Sequence, residues 1–287
     1  VVVVQGDTDS TSAGAQAGKL VGARVVHVEA GLRSGDRAMP EELNRQVVGV
    51  LADAHCAATW EAAENLVRVG VDRDAIRVTG NTIVEATLHS IPDAAATDAV
   101  MREHGLADTP FVLATVHRPE NTDDAERLGQ ILAALAELGV PVVLPAHPRL
   151  LARAAAFGHE AALRRLRVIT PVDHPTFLAL VSRSRLVVSD SGGVQEEVTV
   201  LKKPLVIVRN NTERPEAVAS GFARLVTPGP GLTRALAAVL AETGLERRLR
   251  DIPSPFGDGK AGVRIARLAA ALAEGAELPA AEFAPHS

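Results

Sequence analysis

The sequence has few of the residues that mark secreted proteins, metal-cluster proteins or nucleic-acid-binding proteins. Its 287 residues include one cysteine, one tryptophan, six phenylalanines and no tyrosine. A single cysteine, Cys56, excludes an intramolecular disulfide, and no second thiol stands at metal-binding spacing. So few aromatic rings largely exclude the stacking platforms that single-stranded nucleic acids and glycan chains require. We therefore interpret Cys56 as a small buried apolar residue in a reducing compartment.

Charge and hydropathy exclude further classes of protein. The net charge is -5, and the basic residues are scattered rather than gathered in a stripe, so nucleic acid is not expected as a partner. No apolar run approaches the roughly 20 residues that span a bilayer, and no charged-then-apolar leader is present. Apolar residues make up 47% of the chain, enough for one large or two ordinary cores. We expect a globular, cytoplasmic protein without a membrane partner.

Short β-branched runs alternate with alanine-rich stretches of helical period, a pattern that predicts repeated β-α units and parallel sheets. The predicted strands are Val1–Val4, Ala23–Val28, Phe111–Val116, Pro141–Pro145, Leu166–Ile169, Leu186–Ser189 and Pro204–Val208. The predicted helices are Thr11–Val21, Pro40–Ala52, Ala125–Leu138, Gln195–Val200 and Leu232–Thr243. The stretch from Val78 to Ala96 separates two groups of strands, and we interpret it as a domain junction. The fold class is therefore α/β.

Ligands of parallel α/β sheets bind outside the carboxyl ends of the strands, so polar residues that follow strands are candidate site residues. Such residues lie at Gly6-Asp7-Thr8, Glu29 to Arg33, His117-Arg118, His147 to Arg149, Asp190 to Gly193 and Asn210 to Arg214. Nearly every predicted strand ends in charge or glycine, which is more than the solvation of loops requires.

In SDSGGVQEE, a strand leads into two glycines and a helix predicted to start near Val194. Glycines let backbone amides approach a ligand closely, and the amino end of the helix favours a diphosphate. Glu197, in the first turn, is suited to accept hydrogen bonds from ribose hydroxyls. The alternative is a tight turn in which Ser191 caps the helix.

NNTERPEAV places Thr212, Glu213 and Arg214 before Pro215, a residue typical of the first helical position. Arg214 is suited to bind a phosphate or sugar hydroxyls. The alternative is a capped surface helix whose arginine has an i,i+4 partner.

HVEAGLRSGDRAMPEELNR carries Glu29 at a strand end and Glu41-Glu42 at the start of a helix. Carboxylates brought together by the loop would raise one another's pKa, as general acid/base catalysis requires. Alternatively, the glutamates only complement the helix amino end, and Glu41 forms a surface pair with Arg45. Glu29, flanked by apolar strand residues, is expected to be half-buried and to need partners.

His117, just beyond a strand in TVHRPEN, is a candidate proton donor or phosphate ligand, and the alternative is a structural role. The histidines show no metal-ligand spacing and no G-x-S-x-G elbow exists, so we predict neither a metal site nor a serine hydrolase.

Six motifs, in order and reaching to about Ala271, resemble those of the non-hydrolysing UDP-N-acetylglucosamine 2-epimerases. They are HVEAGLRSGDRAMPEELNR, TGNT, HRPEN, DSGGVQEE, TERPEAV and SPFGDGKAGVRI. The resemblance implies a GT-B-type fold of two Rossmann-like domains with the nucleotide in the cleft. It implies an N-terminal domain over residues 1–92, a UDP-binding domain over 93–260, a helix over 261–276 that crosses back, and a disordered tail over 277–287.

Family members interconvert UDP-N-acetylglucosamine and UDP-N-acetylmannosamine by eliminating UDP to give 2-acetamidoglucal and adding it back, without a cofactor. Matched residue by residue, Asp7, Glu29 and Glu41 fall on the family's catalytic carboxylates and His117 on its histidine. The implied UDP-binding residues are Ser191, Gly192, Gly193, Glu197 and Arg214, together with the strand-end residues Arg118, His147 and Thr212. Phe177 is implied to pack near the uracil. Which carboxylate removes the C2 proton stays open.

Retention of HVEAGLR favours the non-hydrolysing branch, and the compact SGDRAMPEE loop resembles a subgroup that includes enzymes acting on modified UDP-sugars. The expected partner is thus UDP-N-acetylglucosamine or a related UDP-sugar, and the family usually forms homodimers. A UDP-sugar-binding protein without activity and a glycosyltransferase are the rival hypotheses. Three acids near the sugar argue against the transferase, which needs one base and an acceptor groove.

Family members begin with further β-α units that include a Gly-Thr-Arg-Pro-Glu turn, which this sequence does not contain. The comparison predicts an incomplete N-terminal domain, with an exposed sheet edge and apolar surface. On this hypothesis, the 287-residue chain made alone is inactive or aggregates.

Overall fold

A computed structural model describes residues 1–280, within which the chain forms ten strands and fifteen α-helices. The strands are β1 (Val2–Gln5), β2 (Val25–Ala30), β3 (Ala54–Ala57), β4 (Ile76–Val78), β5 (Val112–Thr115), β6 (Val142–Pro145), β7 (Arg167–Ile169), β8 (Leu186–Ser189), β9 (Leu205–Val208) and β10 (Ala223–Val226). The helices are α1 (Asp9–Leu20), α2 (Pro40–Leu51), α3 (Trp60–Arg68), α4 (Thr82–Ser90), α5 (Ala94–Glu103), α6 (Pro119–Thr122), α7 (Ala125–Ala136), α8 (Pro148–Ala156), α9 (Glu160–Leu163), α10 (His174–Arg183), α11 (Gly192–Leu201), α12 (Pro215–Ala219), α13 (Gly231–Ala241), α14 (Leu245–Asp251) and α15 (Ala261–Glu274). The predicted disordered tail falls largely on residues 281–287, which lie outside the described residues.

The first structural unit comprises Val1–Leu88 and the described residues from Ser254 onward. Its four strands are parallel, in the order β1-β2-β3-β4, with α1, α2 and α3 as the successive connections. The valine-rich sequences of β1 and β2 pair in register, Val2 opposite Val25. Helix α1 packs closely on both strands because Gly18 has no side chain, and a Cβ there would lie 3.1 Å from Val25.

Helix α15 belongs to this first unit and covers part of its sheet. Ile265 and Leu268 pack with Val26 and Cys56 in one apolar cluster. Cys56 is fully buried, as predicted, and burial raises the pKa of its thiol to about 12. The motifs TGNT and SPFGDGK meet before this helix, where a Cβ on Gly80 would lie 3.3 Å from the Gly257 Cα. Close backbone packing therefore accounts for both glycines.

The second structural unit comprises His89–Pro253. Its six parallel strands run in the order β10-β9-β8-β5-β6-β7. Strand β8 is central and pairs with both β5 and β9, with Ser189 opposite Thr115 on one side and Ile207 on the other. The carboxyl ends of β5, β8 and β9 thus stand side by side, which places the loops that follow them next to one another.

All seven predicted strands are present, with ends shifted by up to two residues. Strands β3, β4 and β10 are not among the predicted strands, because AHCA and ARLV contain few β-branched residues and IRV is only three residues long. The helix predicted near Val194 begins instead at Gly192. Both glycines are therefore part of the first helical turn.

Candidate active site

Asp7 and Glu29 follow or end the neighbouring strands β1 and β2, and their side chains lie on the same side of the first unit. Glu29 has a φ of 62°, and the β2–β3 pairing shifts register between Val28 and Ala30. A left-handed conformation costs a non-glycine residue roughly 1–2 kcal/mol, and such strain is concentrated at functional sites. The bulge turns Glu29 toward Gly6, where an added Cβ would lie 3.5 Å from the Glu29 Oε2. The half-buried Glu29 carboxylate is thus immediately beside the β1 end.

Asp7 is held by Arg45, a residue that the sequence analysis placed elsewhere. The Arg45 Nε and Nη2 donate to Asp7 Oδ2 at 3.0 and 2.6 Å, and Nη1 donates to Glu42 Oε2 at 2.9 Å. Arg45 is 3% exposed and Glu42 is 1% exposed. The alternative of a surface pair between Glu41 and Arg45 is therefore wrong, because the arginine points under the loop to two other carboxylates.

Glu42 organises the loop that leads into helix α2. Its Oε2 accepts from the Ser34 amide at 2.9 Å and from the Ser34 hydroxyl at 3.1 Å. Burial opposes ionisation of Glu42, but these hydrogen bonds and Arg45 outweigh it and lower the pKa of the carboxyl. The loop thus lowers the pKa of Glu42, whereas the sequence analysis expected neighbouring carboxylates to raise one another's pKa. The half-buried side chain of Glu41, in the first turn of α2, makes no hydrogen bond to another residue within 1–280.

Two buried histidines lie behind this group. His27 Nε2 is 2.9 Å from the Gly6 carbonyl oxygen, and the rings of His27 and His55 are 6.5 Å apart in an edge-to-face arrangement. Burial lowers the pKa of each to about 4, so both are neutral at pH 7. His27 therefore fixes the turn that carries Asp7 without adding charge to the site.

In the second unit, the His117 ring contacts a buried aspartate. Its Nδ1 is 2.9 Å from Asp190 Oδ1, while 53% of the histidine side chain is exposed. Asp190 is fully buried and also accepts from the amides of His117 and Arg118 and from Asn121 Nδ2. Burial opposes ionisation of Asp190, but His117, Asn121 and the Arg118 amide outweigh it and lower the pKa of the carboxyl. The HRPEN and DSGG motifs thus meet at one carboxylate.

Helix α11 begins directly after Ser191, at the end of β8. Ser191 occupies the N-cap position, but its side chain makes no capping hydrogen bond. The first amides of an α-helix lack partners within the helix, and with the helix dipole they favour an anion. This arrangement of Ser191, Gly192 and Gly193 is suited to a diphosphate, and the serine hydroxyl is not used in the cap.

Arg214 fixes the next loop against this helix. It is 7% exposed, and its Nε and Nη1 lie 3.0 Å from Glu196 and 2.8 Å from Glu213. A Cβ on Gly192 would lie 2.6 Å from the Arg214 Nη1, so the guanidinium passes directly over the glycine. The alternative of an exposed surface helix with an i,i+4 partner for Arg214 is therefore wrong.

Glu213 contacts two further arginines, Arg209 and Arg118. Its Oε2 accepts from the buried Arg209 at 2.8 Å, and Arg118 Nη2 is 3.7 Å from its Oε1. Thr212 adds a hydroxyl bond to Gln195 Oε1 at 2.6 Å. Arg118, Thr212 and Arg214 are thus brought together around Glu213, with Glu196 as the second partner of Arg214.

The remaining predicted residues of the second unit, Glu197, Phe177 and His147, lie on three different helices or their caps. Glu197 Oε1 is 2.8 Å from His174 Nε2, and His174 begins helix α10, which also carries the half-buried Phe177. His147 is exposed at the N-cap of α8, where its Nδ1 accepts from the Arg149 amide at 3.3 Å. Within the second unit, Phe177 therefore shares an element with the partner of Glu197, while His147 follows the separate strand β6.

Within residues 1–280, no three His, Cys, Asp or Glu side chains are grouped closely enough to hold a metal ion. No helix in this part of the chain has the length and apolar character to cross a membrane.

The sequence did not predict that buried charged residues hold the candidate site residues in place. These buried residues are Glu42, Arg45, Asp190, Glu196, Arg209 and Glu213, all of them nearly inaccessible to solvent. A signal was present for Asp190, which directly follows the apolar run LVVS and was expected to lie at a strand end. Because a buried ionised group needs hydrogen-bonding partners, the same argument that applied to Glu29 predicts partners for Asp190.

Comparison with known proteins shows the family and the fold of this chain. The family model described as UDP-N-acetylglucosamine 2-epimerase matches residues 1–270. A UDP-N-acetylglucosamine 2-epimerase of Methanocaldococcus jannaschii is 40% identical over 277 residues, 93% of this chain and 74% of the relative. A UDP-2,3-diacetamido-2,3-dideoxy-D-glucuronate 2-epimerase of Pseudomonas aeruginosa is 37% identical over 276 residues, 94% of this chain and 75% of the relative.

Among solved structures, the M. jannaschii UDP-GlcNAc 2-epimerase in complex with UDP-GlcNAc and UDP has a TM-score of 0.84 and 38% identity. The match covers 93% of this chain and 75% of that one. The predicted α/β fold with two Rossmann-like domains of GT-B type is thereby confirmed. The chain belongs to the UDP-N-acetylglucosamine 2-epimerase family.

Proposed function

We propose that this protein interconverts UDP-N-acetylglucosamine and UDP-N-acetylmannosamine without releasing the free sugar. In this reaction UDP is eliminated across the C1–C2 bond to give 2-acetamidoglucal, and UDP then adds back with the C2 proton on the other face. The reaction needs acid/base groups near C2, and it needs a site that retains UDP while it is detached.

The residues of the first unit are assigned to the sugar. Asp7, Glu29 and Glu41 are the candidate acid/base groups, and their surroundings differ. Asp7 is ion-paired to Arg45, Glu29 is in a strained backbone conformation, and the Glu41 side chain has no hydrogen bond to another described residue. Three carboxylates in different surroundings provide candidates for both the group that removes the C2 proton and the group that returns it.

The residues of the second unit are assigned to UDP. The amino end of α11, from Ser191 to Gly193, would take the diphosphate, with Arg214 and Arg118 behind it. Glu197 would exchange His174 for the ribose hydroxyls, and Phe177 would pack near the uracil. His117, beside the diphosphate, would stabilise the departing UDP or donate a proton to it. His147 and Thr212 complete the proposed binding set.

The observation that carries the proposal is the placement of the strained Glu29 beside the β1 end that bears Asp7, because strained backbone conformations are concentrated at active sites and ligand-binding sites. The P. aeruginosa relative supports a second candidate, epimerisation of a modified UDP-HexNAc at the same site. A UDP-sugar-binding protein without activity stays the alternative outside catalysis.

One experiment separates these functions. The full-length protein is mixed with UDP-N-acetylglucosamine in deuterated water, and C2 deuterium and UDP-N-acetylmannosamine are followed by NMR. Exchange with formation of the second epimer supports the proposal. Binding of UDP without exchange indicates a binding protein, and UDP release that requires a sugar acceptor indicates a transferase. Exchange seen only with a diacetamido substrate would select the modified sugar.

We further propose a homodimer and a cytoplasmic location, in keeping with the reduced Cys56 and a nucleotide-sugar substrate. Sedimentation of the full-length protein tests the first of these.

A further inference from the structure

We propose that Asp190 is a positioning residue that fixes the protonation pattern of His117, so that Nε2 is the atom with which this histidine acts. The inference rests on the proposed function, since it assigns a working atom within that reaction. It concerns Asp190, the first residue of the DSGGVQEE motif, to which the residue-by-residue match assigns no role.

The geometry selects one ring nitrogen. Asp190 Oδ1 is 2.9 Å from His117 Nδ1. An ionised carboxylate only accepts hydrogen bonds, so Nδ1 must carry a hydrogen whenever this contact is made. The neutral ring is then the Nδ1–H tautomer with its lone pair on Nε2, and the charged ring donates from Nε2. Because 53% of the His117 side chain is exposed, the nitrogen away from Asp190 is the one that a ligand can reach.

The orientation of the Asp190 carboxylate is itself fixed by several hydrogen bonds. Its Oδ2 accepts from the Arg118 amide and from Asn121 Nδ2, each at 3.0 Å, and the His117 amide is 3.1 Å from both oxygens. Asn121 is in turn anchored to the Val208 carbonyl oxygen at 2.9 Å. Five donor contacts hold the fully buried carboxylate, so it has little freedom to rotate away from the histidine.

The position of Asp190 in the chain links the contact with His117 to the proposed diphosphate site. It lies between the last residue of β8 and Ser191, directly before the helix start assigned to the diphosphate. One side chain therefore ties the histidine loop after β5 to the anion-binding loop after β8. A purely structural carboxylate would need only the backbone amides, whereas this one also engages the imidazole.

The informative variant is Asp190→Asn, and the structure predicts how it will bond. The asparagine oxygen is expected at the Oδ2 position, where it faces the Arg118 amide and Asn121. The side-chain NH₂ then faces His117 Nδ1 as a donor, which forces the neutral ring into the Nε2–H tautomer. The analogous exchange in Ser-His-Asp triads lowers kcat about 10⁴-fold, and general acid/base groups contribute about 10²–10⁴-fold.

The test combines a spectroscopic and a kinetic measurement on the full-length protein. The ring ¹⁵N signals of its nine histidines are recorded at a pH where His117 is neutral, and His117→Gln identifies the signals of that ring. We expect Nδ1 protonated in the wild type and Nε2 protonated in Asp190→Asn. We also expect kcat for C2 deuterium incorporation to fall at least 100-fold, while the UDP dissociation constant changes by less than about threefold.

Asn121→Ala is the matched control, because it removes one donor to Asp190 but leaves the contact with His117. It should lower the melting temperature and keep kcat within about fivefold. The proposal is overturned if Asn121→Ala reproduces the loss of kcat, if Asp190→Asn keeps kcat within threefold, or if wild-type His117 is protonated on Nε2 when neutral. Should Asp190→Asn fail to fold, the wild-type tautomer still decides. If the wild type exchanges no deuterium, the proposed function fails, while the tautomer measurement tests Asp190 separately.

Discussion

Replacing Arg45 with methionine tests whether the charge network beneath Asp7 holds the first unit together. Methionine keeps much of the length of the side chain and removes its charge. Glu42, 1% exposed, would then be a buried carboxylate without its cation. Breaking a buried pair in this way costs about 3–5 kcal/mol. Because the Ser34 amide and hydroxyl still donate to Glu42, we expect a loss near the lower end, about 3 kcal/mol.

The first unit carries its own reporter for this measurement. Trp60, the only tryptophan of the sequence, begins helix α3 of that unit. Urea unfolding followed by tryptophan fluorescence therefore reports the free energy of unfolding of this unit. Arg68→Met is the matched control, because Arg68 pairs with Glu61 at the surface, where both side chains are exposed. Exposed pairs are worth less than about 1 kcal/mol.

The pH dependence supplies a second readout with a definite sign. The folded-state pKa of Glu42 lies below its ordinary value of 4.5, so its contribution to stability is complete above that value and disappears as the pH falls through the folded pKa. Arg45→Met removes one cause of the shift. The stability gap between wild type and variant should therefore be full at pH 7 and narrow in acid. A loss below 1 kcal/mol at pH 7, or a gap that stays constant into acid, would refute the network.

Three further predictions follow from single residues. Glu29→Gly should abolish C2 deuterium exchange. It should also stabilise the first unit by about 1 kcal/mol in the same urea assay, because glycine adopts a positive φ without strain. A destabilised variant would contradict the inference that Glu29 is strained. Gly192→Ala should weaken UDP binding at least tenfold in calorimetry by displacing Arg214, whereas Gly231→Ala, with open space at its Cβ, should leave binding unchanged. Cys56 should resist a thiol reagent at pH 8 until urea unfolds the unit, because burial raises its pKa to about 12; rapid labelling of the native protein would exclude the buried setting.

The elements that the sequence predicted well share one physical property. Strands β1, β2, β8 and β9 are short and rich in valine, and this length and β-branched content favour strands over helices. Strand β1 lies at the sheet edge, where Val3 is 52% exposed, whereas β8 and β9 are fully buried runs of mostly valine, isoleucine and leucine. Strand β3, AHCA, is equally buried but has none of these residues. Its place in the sheet is set by packing against β2 and α15, which no local pattern of residues encodes.

Within the site, sequence position predicted which residues follow strands but not what holds them. Arg45 reaches Asp7 across 38 positions of sequence, and His117 reaches Asp190 across 73. Such pairs form only when the sheet brings strand ends together, so spacing along the chain carries no trace of them. The nearer pair, Glu41 and Arg45, satisfied the i,i+4 rule and still did not form. Two carboxylates compensate a buried guanidinium better than one partner at the surface.

The same arrangement recurs at three of the proposed site residues. Asp7 has Arg45 behind it, His117 has Asp190, and Arg214 has Glu213 with Glu196. In each case the outer residue is the one assigned to a ligand, and the inner residue is a charged group that is almost fully buried. An ionised inner group cannot rotate into solvent without losing its partners, so it limits the outer side chain to one orientation. A reaction that must keep a detached UDP in place needs such fixed orientations. Loss of an inner residue should therefore lower kcat more than it weakens substrate binding.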